Sequence, residues 1–193
     1  SYSIASSPSL AKEKNQIELC VKLVEGGFVS TWFFERKEGD IIRTALPYGV
    51  FTVKEPWQDN IVLVGTGTGI APLRGMIKNL YERNCDKKIW LVFGNRYETD
   101  VLYNDEWQEL SKKHSNFNFI PTVSRGKTWA GETAYVQEIV KQKFARQNEG
   151  GPAAGTEGLD FYGCGLVPMC QQLKAALIEM NIPKDKIHFE QFT

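Results

Sequence analysis

The chain has no Cys-x-x-Cys pair, no excess of either charge, no long apolar run and only two histidines in 193 residues. Each absence removes a class of function. The four cysteines stand apart at 20, 85, 164 and 170, which argues against an iron–sulfur cluster or a structural zinc site. His114 and His188 have no partner at ligand-like spacing, so no metal site and no histidine-based triad is expected. Lys plus Arg equals Asp plus Glu at 23 each, so charge points neither to nucleic acid nor to an anionic membrane. No apolar run approaches a membrane span, no signal peptide heads the chain, and no repeat or coiled coil is visible. Free thiols fit a soluble cytoplasmic or organellar compartment. The opening Ser1-Tyr2-Ser3-Ile4-Ala5-Ser6 is strand-like from its first residue and has no Met. A fragment of a longer chain is therefore expected.

Two further absences concern phosphate sites. Position 70 is Ile, so the glycine run at 65–69 is not the Gly-x-Gly-x-x-Gly dinucleotide fingerprint. No Gly-Lys-Ser/Thr follows, which excludes the nucleotide triphosphate P-loop. What is present is Ile61-Val-Leu-Val64 followed by Gly65-Thr66-Gly67-Thr68-Gly69 and Pro72. An apolar run, a glycine turn and a proline suited to a first helical turn read as strand, tight turn and helix N-terminus. Backbone N–H groups and the helix dipole there suit a phosphate. A glycine-rich turn without a ligand gives the same string.

The pattern changes near residue 56. Residues 1–55 read as β-rich: Ile17, Leu19, Val21 and Leu23 alternate with polar residues within a strand spanning 16–24. A short helix is expected at 29–35, turns at Gly39-Asp40 and Pro47-Tyr48-Gly49, and a strand at 50–53. Residues 55–60 read as a linker. Beyond it, strands are expected at 61–64, 89–93, 117–123 and 159–162. Helices are expected near 72–84, 104–114, 132–147 and 167–180. That alternation predicts a parallel sheet covered on both faces. Residues 147–158, rich in glycine, read as a loop. Segments 65–69, 94–100, 124–131 and 163–168 follow the strands and should converge on one cleft.

Several strings in those segments could carry chemistry. Ser124-Arg125, with Lys127, Tyr135 and Gln137 nearby, suits an additional ribose phosphate, as a solvated turn also would. Arg96 is a second candidate. Gly163-Cys164-Gly165 allows close approach by a flat ligand, while a buried small cysteine is the plainer reading, as it is for Cys20, Cys85 and Cys170. Glu190 and Phe192 place a carboxylate and an aromatic at the end of the sequence, where a last strand would also account for them.

Together these strings resemble the ferredoxin–NADP reductase family, especially its plant-type branch, over nearly the whole chain. Under that resemblance Tyr2-Ser3 matches the end of the flavin motif Arg-x-Tyr-Ser, whose Arg would precede Ser1. Tyr2 would stack on the isoalloxazine and Ser3 would lie near flavin N5. Leu19-Cys20-Val21-Lys22 resembles the strand bordering the flavin adenosine and the NADP phosphates, and Gly27-Phe28-Val29-Ser30-Thr31 the segment holding the FAD pyrophosphate. Gly65, Thr66, Gly67, Thr68 and Gly69 belong to the family's Gly-Thr-Gly-Thr-Gly-Ile-Ala-Pro. Ser124-Arg125 with Tyr135 and Gln137 resembles the 2′-phosphate and adenine site, with Thr133 where a Lys is common. Gly163, Cys164 and Gly165 resemble the nicotinamide contact. Glu190 and Phe192 resemble the catalytic Glu and the terminal aromatic, with Phe for Tyr and one further residue, Thr193.

The resemblance implies part of an antiparallel β-barrel FAD-binding domain at 1–55, preceding a parallel-sheet α/β NADP-binding domain at 57–193. It implies FAD and NADP(H) as cofactors and no metal. It also implies a monomer exchanging electrons with a ferredoxin or flavodoxin-like carrier. Ser3, Cys164, Glu190 and Phe192 are the implied catalytic set. The alternatives are an NADH-dependent reductase component of an oxygenase and a non-catalytic dinucleotide-binding or electron-transfer fragment.

Overall fold

The computed structural model describes residues 1–57, 59–144 and 158–192. Five parallel strands form one sheet in the order β3-β2-β1-β4-β5. They are β1 (Asn60–Thr66), β2 (Ile89–Asn95), β3 (Phe117–Val123), β4 (Leu159–Leu166) and β5 (Ile187–Phe192). Ile61 to Gly65 of β1 are all buried, as a continuous apolar run in a sheet covered on both faces requires. Alternate side chains divide between the faces. Ile61 and Leu63 join one core with Ile70, Leu73, Trp107 and Phe117. Val62 and Val64 join the other with Ile139, Val140, Leu173 and Leu177. Pro121 sits in β3, an edge strand, where a missing ladder donor is tolerated.

The helices follow from their sequences. In α3 (Ile70–Glu82), Ile70, Leu73, Ile77 and Leu80 form the buried stripe. In α4 (Asn104–Lys113), Trp107 is the one buried residue, with acids in the first turn and lysines in the last, matching the helix dipole. α5 (Val136–Phe144) and α6 (Val167–Glu179) cover the opposite face. Among the described residues no helix is long and apolar enough to cross a membrane.

Residues 1–57 carry two short helices, α1 (Pro8–Lys14) and α2 (Phe28–Phe34). The helix expected at 29–35 is thus present, shifted by one residue. α1 was not anticipated, although Ser7 caps it, its Oγ accepting from the Leu10 N–H at 3.3 Å, and Pro8 opens it. The strands expected at 16–24 and 50–53 do not form. Antiparallel pairing there is confined to the Ile4–Leu19 bridge and the Ala5 N–H donating to the Glu18 carbonyl at 2.8 Å. An alternating segment becomes a strand only when a neighbour accepts its ladder.

Beyond residue 59, β1 to β4 lie where expected, with three differences. β4 continues to Leu166, because Gly163, Cys164 and Gly165 pair with Phe189, Glu190 and Gln191. The Gly-Cys-Gly string is therefore strand rather than a following loop. β5 is the last strand that Glu190 and Phe192 also allowed, starting at Ile187, and α5 begins at Val136 rather than 132. The end of that expected helix (145–147), the expected loop apart from Gly158, and Thr193 lie outside the described residues.

Candidate functional site

The strand order reverses between β1 and β4. From β1 the chain steps outward to β2 and β3, then returns to the other side of β1 at β4. In such sheets the crevice at the carboxyl ends of the strands is the ligand position. Here the two strand ends are in close contact. A Cβ on Gly69 would come within 2.2 Å of the Cys164 carbonyl oxygen, and one on Gly165 within 2.5 Å of Thr66 Oγ1. Gly94, at the end of β2, faces Thr66 in the same way, with a Cβ there 3.0 Å from its methyl group. Gly65–Gly69, Gly163–Gly165 and Gly94 therefore meet around Thr66, so three of the four expected segments converge directly.

The fourth joins through backbone bonds. Ser124 N–H donates to the Asn95 carbonyl at 3.0 Å and Arg125 N–H to the Arg96 carbonyl at 2.8 Å. The Glu98 carboxylate holds the next turn, accepting from Lys127 N–H at 2.9 Å and Thr128 N–H at 2.8 Å. Its own backbone N–H, then the Thr128 and Lys127 donors, keep its pKa below the ordinary carboxylate value against the opposing effect of burial. Arg125 and Tyr135 are exposed, Ser124 is half-buried, and Gln137 is buried with its amide on Gln172 at 3.1 Å.

At the other end of the site, residues far apart in sequence meet. Ser3 Oγ donates to Glu190 Oε2 at 2.8 Å, and Cys164 Sγ lies 4.0 Å from the same oxygen. Cys164 is fully buried. Burial, then the Glu190 carboxylate and Cys170, push its thiol far above the ordinary range. It is a neutral packing group rather than a nucleophile. Phe192, half-buried, packs against the first core and pairs with Leu166. Tyr2 is partly exposed, with its ring edge-on to Phe33 at 5.1 Å.

The remaining expected residues stand outside this cluster. Cys20 is half-buried against the first core, and Lys22 is exposed. Val29 and Thr31 are exposed on α2. Ser30 is buried and its hydroxyl serves the local turn, accepting from Val24 N–H at 3.1 Å and donating to the Gly27 carbonyl at 3.2 Å. His188, half-buried on the edge strand β5, stacks on Tyr162 at 4.6 Å. No cluster of metal-ligating side chains occurs among the described residues.

The site fits a phosphate-bearing dinucleotide. Gly67 adopts φ +53°, which turns the loop without steric cost. Gly67–Gly69 form a short helical turn leading into α3, with no side-chain cap from Thr66 and no acid in either first turn. The Ile70 N–H is taken by the Gly67 carbonyl, so the N–H groups of the glycine turn itself are the ones that suit an anion. Asn95 Oδ1 is buried at the end of β2 and has no partner among the described residues. Asn95 was missed from sequence; the Gly94-Asn95-Arg96 string was its only signal.

Residues 63–175 match the oxidoreductase NAD-binding domain and residues 1–53 the oxidoreductase FAD-binding domain. The chain is 32% identical over 193 residues to ferredoxin–NADP reductase B of Sorangium cellulosum, covering 99% of itself and 77% of that protein. It is 29% identical over 196 residues to the reductase component of phenol 2-monooxygenase from Pseudomonas sp., covering 99% of itself and 52% of that protein. The chain thus spans about half the length of several curated relatives. Among solved structures, a ferredoxin–NADP reductase from Neisseria gonorrhoeae with bound FAD and NADP shares the fold. Its TM-score is 0.76 at 21% identity, over 98% of this chain and 78% of that one. The chain belongs to the ferredoxin–NADP reductase family of oxidoreductases.

Proposed function

We propose, from that membership, that the protein exchanges hydride between NADP(H) and FAD and passes single electrons to a ferredoxin or flavodoxin-like carrier. The observation that carries this reading is the Ser3–Glu190 hydrogen bond across the whole chain, beside Cys164 at the switch point. Bound FAD supplies the exchange between two-electron and one-electron steps, and the nicotinamide supplies the hydride.

The residues divide the remaining work. The Gly65–Gly69 turn and the N-terminus of α3 receive a pyrophosphate. Arg125 and Ser124 receive a 2′-phosphate, with Tyr135 at the adenine; Gln137, tied to Gln172, supports that wall. Ser3 Oγ and Glu190 form a proton path whose inner end is the Glu190 carboxylate. Cys164, with Gly163 and Gly165, walls the nicotinamide position with an uncharged thiol. Phe192 occupies part of that position until displaced. Tyr2 covers one flavin face, and Cys20, Lys22 and Val29–Thr31 border its adenosine and pyrophosphate.

The test is an anaerobic absorbance spectrum of the purified chain with FAD, before and after NADPH. Bleaching of a bound flavin band supports hydride transfer. No bound or bleached flavin defeats the reading and leaves a dinucleotide-binding fragment. A second reading, an NADH-dependent reductase component of an oxygenase, is favoured by the names of several relatives. Arg125→Ala separates the two: a loss confined to NADPH supports the 2′-phosphate role, whereas equal losses with NADH count against it. Phe192→Ser should raise NADH use relative to NADPH.

A further inference from the structure

Arg74, in the middle of α3, is the one charged residue among the buried side chains described, at 6% exposure. Nothing in the dinucleotide site explains it. Its guanidinium is engaged from three directions. Nε and Nη2 meet the Glu106 carboxylate at the start of α4 at 3.0 and 2.9 Å. Nη1 donates to the Ala5 carbonyl at 2.9 Å and to Glu18 Oε2 at 2.5 Å. Its plane lies 4.4 Å over the Tyr103 ring. Ala5 and Glu18 are themselves joined by a backbone bond, next to the Ile4–Leu19 bridge. The next helical residue is Gly75, where a Cβ would lie 3.1 Å from the Ile4 carbonyl oxygen and 3.2 Å from that of Ser6. Helix α3 is therefore pressed against residues 4–6, and Ala5 is two residues from Ser3.

A buried ion pair is weak evidence of net stability, because desolvation offsets the attraction; its better-attested use is to fix one arrangement. The rigid fork of arginine suits three acceptors on separate segments, where a lysine would reach only one or two. We propose that Arg74 is a positioning residue: it locks residues 4–6 onto α3 and α4, and thereby delivers Ser3 to Glu190. The lock concerns geometry alone, while its consequence for catalysis rests on the roles proposed above for Ser3 and Glu190.

The first arm of the test needs no cofactor. Amide hydrogen exchange is compared between the wild-type chain and Arg74→Lys, which keeps the charge and loses the fork. The expected result is about tenfold faster exchange at Ala5 and its neighbours, with β1 and β4 unchanged. Unchanged exchange at residues 4–6, or an equal rise in β1 and β4, overturns the lock. Glu106→Gln, which leaves the Ala5 and Glu18 arms in place, should give a smaller rise at the same amides; no rise in either variant is decisive against it.

The second arm uses the FAD-loaded chain. Arg74→Lys should slow flavin reduction at saturating NADPH by about tenfold, with KM changed by less than about twofold. Adding Ser3→Ala to Arg74→Lys should cost no more, because both act through one hydrogen bond. Additive losses overturn the positioning role. If Ser3→Ala alone leaves reduction unchanged, the proton role of Ser3 fails, while the exchange result still decides the lock.

Discussion

Residues 1–57 and the sheet beyond residue 59 are comparably rich in apolar residues, yet those residues meet opposite fates. In β1 every residue from Ile61 to Gly65 is buried. Between residues 21 and 50 only Ser30 is buried, and Ile41, Tyr48 and Val50 are 94%, 86% and 86% exposed. The difference lies in partners rather than composition. Each sheet strand finds a parallel neighbour in register, and helices cover both faces of the sheet. The N-terminal segment makes one antiparallel bridge, and is held to the sheet by a few long-range contacts. Those contacts include Arg74, the Ser3–Glu190 bond, Lys54 N–H donating to Tyr162 Oη at 2.9 Å, the Arg83–Glu55 pair, Ser9 with Glu82, and the packing of Cys20, Phe51, Val53 and Trp57 on the first core. Apolar content alone does not make a core; complementary neighbours do.

That contrast is tested most severely by truncating one large residue on each side. Trp107 is fully buried, and its indole N–H donates to the Leu102 carbonyl at 3.0 Å. Trp107→Ala should lower unfolding stability by about 3–5 kcal/mol. Ile41→Ala should change it by less than about 0.5 kcal/mol. Urea titrations of both variants decide. Comparable losses would mean that the N-terminal segment buries far more than its exposure indicates.

Glycine substitutions sharpen the same comparison at lower cost. A methyl group on Gly69 would meet the Cys164 backbone, which has no rotamer to yield. Gly69→Ala should cost about 3 kcal/mol and weaken dinucleotide binding, since the β1 and β4 loops must separate. Gly39 has φ +93° and open space around its Cβ position. Gly39→Ala should cost only the backbone strain of that conformation, about 1 kcal/mol. Equal thermal shifts in the two variants would deny the tight contact at the switch point.

The same division governs what could be read from the sequence. Strands β1 to β4 and helices α3 to α6 were legible because apolar runs and helical stripes are local signals. A last strand was legible only as the plainer account of Glu190 and Phe192; its start at Ile187 and its place beside β4 were not, because strand order decides them. The glycine turn was legible as a motif, but its contact with Cys164 was not, since strand order decides it. Residues 16–24 carried a clear alternating pattern that predicts a strand, and the pattern failed for want of a partner. The partners of Arg74 were invisible: on a helical wheel it is an arginine beside the stripe of Ile70 and Ile77, but its acceptors come from residues 5, 18 and 106. Ser3 and Glu190 could be paired only through a family resemblance, because 187 positions separate them.

The smallest expected effect concerns His188, for which the histidine-free segment 1–57 has no counterpart. Its imidazole stacks on Tyr162 and lies 3.8 Å from Asp160, with Lys186 and Lys54 nearby. Burial lowers its pKa below the ordinary 6.5; Asp160 opposes that shift, and Lys54 and Lys186 add to it. The folded chain then holds fewer protons at this residue than the unfolded chain between the two pKa values. The contribution of His188 is complete above pH 6.5 and declines as pH falls through the folded value. Asp160, whose pKa burial raises from 3.8, acts in the opposite sense in a window opening at that lower pH. His188→Gln should therefore flatten the decline in stability below pH 6.5 while leaving the acid limb governed by Asp160. Midpoints of urea unfolding between pH 5 and 8 measure this. An identical slope in wild type and variant would mean that His188 remains as free to protonate in the fold as in the unfolded chain.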